Sequence, residues 1–283
     1  MPLNSTSKTS PPPWELMKRV CTRPWEAYLP PIKMAENVWY VSGNDWVAAY
    51  LIDTGDGLIL IDTAMQESLY LLVENVHRLG YQMTDIKKIL LSHAHIDHIG
   101  AAKPLKELTG AEMYIGERDL LFLHDRKDLI MAKEYLCGEF EPDHLYSDDT
   151  PITLGNVSVR TVSTPGHTPG TTSFFFDIQD KQGKSLRCAM HGGVGLNITK
   201  DYYEETGLPM TLRDEYIDGL RKLDKEHVDI TLPSHTNQVG ILLLVDQIRD
   251  DFNPFIDPSI WHELMQERLE RALEIVAKES KEK

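Results

Sequence analysis

The run His93-Ala94-His95-Ile96-Asp97-His98 places three histidines and an aspartate within six residues. Imidazole nitrogen is a preferred ligand of zinc and carboxylate oxygen a competent one, so this density of donors points to a metal site. Alternate residues of an extended segment point to the same side, so His93 and His95 can chelate one ion. The turn that follows redirects Asp97 and His98, which can hold a second ion. In a chain of 283 residues with 11 histidines, an isolated histidine says little. A His-x-His-x-Asp-His run directly behind an apolar strand says much more.

Two more histidines sit where strands end. Thr164-Pro165-Gly166-His167-Thr168-Pro169-Gly170 puts His167 in a loop whose prolines and glycines constrain the backbone and leave room for a ligand to project. Leu232-Pro233-Ser234-His235-Thr236-Asn237 does the same for His235 after a late strand. Either histidine alone is ambiguous; beside the first cluster both become candidate ligands. The others read as ordinary surface or packing residues: His77 in an amphipathic helix, His227 at a charged helix end, and His262 in the last helix. His124 and His144 fall in a stretch from Arg118 to about Asp149 that the pattern does not resolve, and could line a pocket.

The elements that must carry these residues follow from periodicity. Val38–Val41, Val47–Ile52 and Leu58–Ile61 read as strands, with Gly55-Asp56-Gly57 as a turn, so the chain opens as a β-meander. A helix follows from about Gln66 to Leu79. Leu69, Leu72, Val73, Val76 and Leu79 form its apolar stripe, and Gly80 is its stop. Ile86–Leu91 is a strand that runs into the histidine cluster. A helical stretch from Ile99 to Leu108, with Pro104 inside it, leads to a strand at Met113–Ile115. Further strands are expected at Val157–Val162, Thr172–Phe176, Leu186–Met190 and Asp229–Leu232, with a helix at Arg213–Leu223. The last helix starts near Asp257-Pro258 and turns Trp261, Leu264, Leu269, Leu273 and Val276 inward. Strands, helix and ligand-bearing strand occur twice in this order, without sequence repetition, which suits two packed sheets with helices outside. No linker divides the middle, so residues 14–283 read as a single domain behind a polar flexible tail over residues 1–13.

The formal net charge is −15. Such a surface repels phosphate backbones and argues against nucleic-acid binding, while a metal site can still create a local positive patch for a small-molecule substrate. The three cysteines, Cys21, Cys137 and Cys188, are scattered and form no metal-binding pair, as expected of reduced structural thiols. The first residues lack a signal-peptide pattern, and no apolar run is long enough for a bilayer. A cytoplasmic protein without membrane contact is therefore expected, its oligomeric state left open.

The segment Ser92 to Gly100 resembles the signature of the metallo-β-lactamase superfamily, and Thr164 to Thr171 resembles its second motif. The resemblance extends from about Trp25 to the last helix. Within the superfamily the chain is most similar to the third subclass of zinc β-lactamases, on the strength of Asn37–Val41, Gly57–Thr63 and the junction Asn253-Pro254-Phe255-Ile256-Asp257-Pro258. The resemblance implies an α/β (α+β) fold, a four-layer αββα sandwich. It also implies two zinc ions, one on His93, His95 and His167 and one on Asp97, His98 and His235. Iron or manganese could replace zinc at such ligands.

Superfamily hydrolases of the thioesterase and lactonase type take a bridging aspartate after the second motif, and other lactamase subclasses use a cysteine there. The corresponding stretch here, Ala189 to Asn197, offers neither. The third subclass often has serines in this loop that bind the substrate carboxylate; here Gly193 and Gly195 stand in those places. Substrate contacts are accordingly expected from His191, Gly193, Gly195 and Asn197, although for His191 packing or an extra ligand role is together favoured over substrate contact. Trp39, Trp46 and Tyr202 are candidates for pocket walls, although core packing is favoured for Trp39.

The implied chemistry is hydrolysis by a metal-bound hydroxide, formed because zinc lowers the pKa of water from about 16 towards about 7. Asp97 is the expected catalytic residue, holding one metal and orienting the nucleophile. The leading expectation is a β-lactamase opening the amide of β-lactams, a reaction that can confer antibiotic resistance. The alternative is a hydrolase of another small cyclic ester or amide, lactonase-like, with weak β-lactamase activity. A third reading, a non-catalytic metal-binding protein, is disfavoured by the complete ligand set.

Overall fold

Alternation of side chains along the strands decides how this chain folds, because both faces of its sheets must be buried. A computed structural model describes residues 13–130 and 137–281. The tail expected over residues 1–13 lies outside these, except Pro13, which opens α1 (Pro13–Thr22). The first half then contributes β1 (Ile32–Ala35), β2 (Val38–Tyr40), β3 (Tyr50–Asp53), β4 (Leu58–Ile61), α2 (Leu69–Arg78), β5 (Ile86–Leu90), α3 (Ile96–Ile99), α4 (Ala102–Thr109), β6 (Glu112–Ile115), α5 (Leu120–His124) and β7 (His144–Leu145). These strands form one sheet in chain order, antiparallel from β1 to β4 and parallel from β4 to β7.

The second half contributes β8 (Ile152–Leu154), β9 (Val157–Ser163), β10 (Thr172–Gln179), β11 (Ser185–Met190), α6 (Lys200–Thr206), α7 (Thr211–Leu223), β12 (Ile230–Thr231), α8 (Ile241–Leu244) and α9 (Ser259–Lys281). Its sheet has the order β12-β11-β10-β9-β8, with β12 parallel to β11 and the rest antiparallel.

One parity of side chains fills the space between the sheets. Tyr50, Ile52, Ile59, Ile61 and Leu90 share a buried cluster with Val159, Phe174, Phe176, Cys188 and Met190. The opposite parity, including Leu51, Leu60, Ile89, Phe175 and Ala189, belongs to a second cluster with Leu72 and Val76 of α2, Leu105 of α4, Leu212 and Tyr216 of α7, and Trp261 of α9. This is the helix–sheet–sheet–helix layering of the expected αββα sandwich. Trp261 fixes α9 in two ways: its ring meets Phe175 edge-on at 5.6 Å, and its Nε1 donates to Leu223 O at 2.8 Å.

The structure departs from the periodicity in several places. Val47–Ala49 are not part of β3: Val47 bridges His235, and Ala48 N donates to Ser234 O. The late histidine loop thus takes the backbone groups that a longer strand would have used. The expected helix over Gln66–Leu79 begins as a 3-10 turn, Gln66–Ser68, and α2 carries the rest. Pro104 is accommodated in the first turn of α4, where its missing N–H is not needed. Leu273 of α9 is 41% exposed, and Ala272 takes the buried position beside it. The short strands β1 and β7 lack a clear periodic signal. The cysteines are free thiols, and no helix among the described residues is long and apolar enough to cross a membrane.

Candidate metal centre

Strand β5 delivers the first donors. After Leu90 the chain stays extended, with His95 at φ −95° and ψ 151°, and then tightens into the single turn α3. His93 and His95 therefore project before the turn, and Asp97 and His98 from within it. The loop between β9 and β10 brings in His167, and the loop after β12 brings in His235. Their donor atoms fall into two groups, His93 with His95 and His167, and Asp97 with His98 and His235, each within 4.8 Å of one another. All six residues singled out from the sequence come together, in the two groups that the family resemblance implies.

The facing atoms define the two groups. His95 Nδ1 and His167 Nε2 lie 3.0 Å apart, and His93 Nε2 is buried without a hydrogen-bond partner. In the second group, Asp97 Oδ2 lies 3.6 Å from His98 Nε2 and 3.4 Å from His235 Nε2. Several imidazole nitrogens converging at close range, one of them orphaned in the interior, cost stability unless a cation satisfies them. The donor set of nitrogens with one carboxylate fits zinc or a similar divalent ion.

Electrostatics agree with that role. Burial, helped by neighbouring histidines, holds His93 and His95 well below the usual imidazole range. Burial likewise lowers His167 to about 4 and His235 to about 3. Burial opposes ionisation of Asp97, but its electrostatic interaction with the facing imidazoles of His98, His235 and His95 prevails and holds its carboxyl below the ordinary value. Neutral imidazoles and an ionised carboxylate are the forms that bind metal; His98 alone departs, raised by Asp97 and Asp62 against its burial.

Two aspartates that sequence reasoning did not single out as site residues hold the donors in place. Asp62, at the end of β4, accepts from Ser92 N, from Ser92 Oγ and from His98 Nδ1, each at 2.7 Å. Its φ of 59° is in the left-handed region, as is that of Ala64 at 56°. Such backbone strain is sustained only where surrounding contacts enforce it. Asp119 accepts from Ala94 N at 2.7 Å, Thr168 Oγ1 at 2.8 Å and Gly170 N at 2.6 Å, so one carboxylate ties the two histidine loops together. Burial pushes Asp119 up to about 6 despite these donors. A carboxylate ending an all-apolar strand was a signal for Asp62; nothing in the local pattern marks Asp119.

The donors open into a cavity of about 300 Å³, also lined by Met17, Trp46, Gly193, Val194, Gly195, Asn197, Gln238 and Arg268. Of the substrate-contact candidates, Gly193, Gly195 and Asn197 line it and His191 does not. His191 is 3% exposed and its Nδ1 accepts from Gly193 N at 3.0 Å, so it is a packed residue that shapes the loop. Trp46 lines the cavity and stands 5.3 Å from His235, ring to ring. Trp39 and Tyr202 do not line it: Trp39 packs edge-on against Tyr81, and Tyr202 against Tyr203. His124 and His144 lie on the surface beside Glu141 and Glu112, away from this cavity.

The glycines have a steric role here. A Cβ at Gly195 would overlap the His167 ring and lie 2.6 Å from its Nδ1, and one at Gly193 would lie 3.0 Å from its Cγ. The loop packs bare backbone against His167, and His167 Nδ1 donates to Gly195 O at 3.2 Å, leaving Nε2 for the site.

A family model described as the metallo-beta-lactamase superfamily matches residues 45–180. Among solved structures, the chain is similar to BJP-1, a subclass B3 metallo-beta-lactamase of Bradyrhizobium japonicum, with 29% identity and a TM-score of 0.81, covering 92% of this chain and 98% of that one. It is also similar to the FEZ-1 metallo-beta-lactamase from Legionella gormanii, with 25% identity and a TM-score of 0.79, over 89% of this chain and 97% of that one. A curated relative, the N-acyl homoserine lactonase AttM of Agrobacterium fabrum, is 26% identical over 160 residues, 54% of this chain and 57% of the relative. The chain spans about half the length of the curated relatives it matches.

Proposed function

The chain belongs to the metallo-β-lactamase superfamily, whose members are metal-dependent hydrolases, and we propose from that premise that it opens the strained amide of β-lactams by hydrolysis. The observation that carries this reading is the split of six donors into a three-histidine group and an aspartate–two-histidine group. No cysteine lines the cavity, and Asp97 is the only carboxylate that does, among the described residues. The loop from His191 to Asn197 thus supplies no bridging carboxylate of the kind expected in thioesterases and lactonases. The solved neighbours named above are β-lactamases.

In this reading His93, His95 and His167 hold one divalent ion, taken as zinc, and Asp97, His98 and His235 hold the other. When bound, the pair supplies the positive charge that makes a water nucleophilic at neutral pH and stabilises the oxyanion. The protein's own part is orientation. Asp97, kept ionised, positions the attacking water by accepting its proton's hydrogen bond. Asp62 and Asp119 hold the donor loops still, so that little rearrangement is needed during reaction. Met17, Ile96, Trp46 and Val194 give the cavity apolar walls that limit competing water.

Hydrolysis of penicillins, cephalosporins, carbapenems and simple lactones by zinc-loaded protein tests the reading, with chelator and Asp97→Ala controls. Chelator-sensitive β-lactam turnover, abolished in Asp97→Ala and largely kept in His191→Ala, is expected. Turnover confined to lactones would move the substrate to cyclic esters, the second reading, which the similarity to AttM favours.

A further inference from the structure

Along α9, Trp261, Leu264, Met265 and Ala272 are all buried and recur at helical spacing. Position 268 falls on the same stripe, three residues after Met265 and four before Ala272, and carries an arginine. Packing alone would favour an apolar residue there. Arg268 instead reaches the metal cavity, where it is the only lysine or arginine among the described lining residues.

We propose that Arg268 is the anion anchor of the cavity, taking the carboxylate of an anionic substrate from α9 in place of the Gly193–Gly195 loop. This deepens the hydrolase reading and rests on it.

Three observations carry the assignment. The Arg268 side chain is 17% exposed, and its Nε, shielded from solvent, has only an ion-pair contact with the neighbouring Glu267 and no aligned hydrogen bond. A guanidinium held this way is short of acceptors, and a carboxylate can satisfy it through two parallel hydrogen bonds. The one carboxylate beside it is that of Glu267, 2.9 Å from Nε, which is 47% exposed and is shared with Arg271 at 3.1 Å. Such a surface partner is screened by water and competes weakly. Finally, Gly193 and Gly195 press on the His167 ring, so neither position has room for a hydroxyl-bearing side chain. In a chain with a net charge of −15, the cavity has one cation of its own for an anion to find.

The test compares zinc-loaded wild type, Arg268→Met and Arg268→Lys, with metal content and circular dichroism checked for each. Calorimetric titration with benzylpenicilloate reads binding without turnover, and KM is measured for a cephalosporin and its methyl ester. Loss of one charge-assisted bidentate contact predicts a fall in penicilloate affinity of about 10- to 100-fold in Arg268→Met. KM for the free acid rises by a similar factor with a much smaller change in kcat, the methyl ester responds little, and Arg268→Lys recovers part of the loss. Equal shifts for acid and ester, unchanged penicilloate binding in Arg268→Met, or no penicilloate binding to wild type each overturn the assignment. Absence of β-lactam turnover in wild type overturns the proposed reaction instead, and the penicilloate titration still decides Arg268.

Discussion

His98 Nδ1 and Asp62 Oδ2 lie 2.7 Å apart, with side-chain exposures of 1% and 0%. The pair fixes the imidazole with its Nδ1 proton towards Asp62 and its Nε2 towards Asp97. Carboxylates behind metal-binding histidines set both tautomer and basicity, and their loss costs roughly 10- to 100-fold in metal affinity. Asp62→Asn is expected to weaken metal binding at the Asp97–His98–His235 group by that factor. Asparagine tolerates the left-handed backbone at this position, so the effect isolates the carboxylate. Competition with a chromophoric chelator measures it, and an unchanged affinity would remove Asp62 from the site's support.

Introducing a serine into the glycine loop should not strengthen substrate binding. Gly195→Ser puts a Cβ into the His167 ring, so His167 must move before any hydroxyl can act. The expected result is loss of the metal from the His93–His95–His167 group, seen as a stoichiometry falling towards one metal per chain. A Gly195→Ser variant with full metal content and improved KM would show that the loop yields where the ring was expected to.

Asp119→Ala leaves Ala94 N, Gly170 N and Thr168 Oγ1 without their shared acceptor. Each buried donor left unpaired costs roughly 1–3 kcal/mol. Urea unfolding should show a loss of at least about 3 kcal/mol for the set, together with faster metal release, because both histidine loops are freed. A loss below about 1 kcal/mol would mean that water replaces the carboxylate without penalty.

The metal-free protein should be acid-labile. Burial lowers His167 to about 4 and His191 and His235 to about 3, and holds His93 and His95 below the ordinary range. An unfolded chain protonates these imidazoles below about 6.5 while the folded chain does not, so the unfolded state binds more protons between those values. Stability therefore falls as pH drops from about 6.5 towards about 4. His98, raised by Asp97 and Asp62 against its burial, and Asp119, pushed up to about 6 by its own burial, work in the opposite sense but are outnumbered by the five buried imidazoles. Urea midpoints of chelator-treated protein at several pH values across this window read the slope; a flat profile would contradict it.

The donors were legible because their chemistry is local. His93, His95, Asp97 and His98 sit behind an apolar strand, and His167 and His235 sit in Pro- and Gly-marked loops, so residue type and spacing sufficed. Most strands were equally legible, since burial of both faces leaves long apolar runs such as Leu58–Ile61 and Phe174–Phe176. The end of β3 was not, because the groups of Val47 and Ala48 pair with Ser234 and His235, a partner nearly 190 residues away that no local pattern encodes.

What the sequence by itself determined is the donor set and the alternation that stacks two sheets, while the division of the donors into two groups followed from the family resemblance. Only the tertiary structure decided what surrounds those donors. Asp62 and Asp119 become supports, Gly193 and Gly195 become steric necessities, His191 becomes packing, and Arg268 becomes part of the cavity, because each role depends on contact between distant segments. Ligand chemistry belongs to a residue type; orientation and shielding belong to the fold that brings residues together.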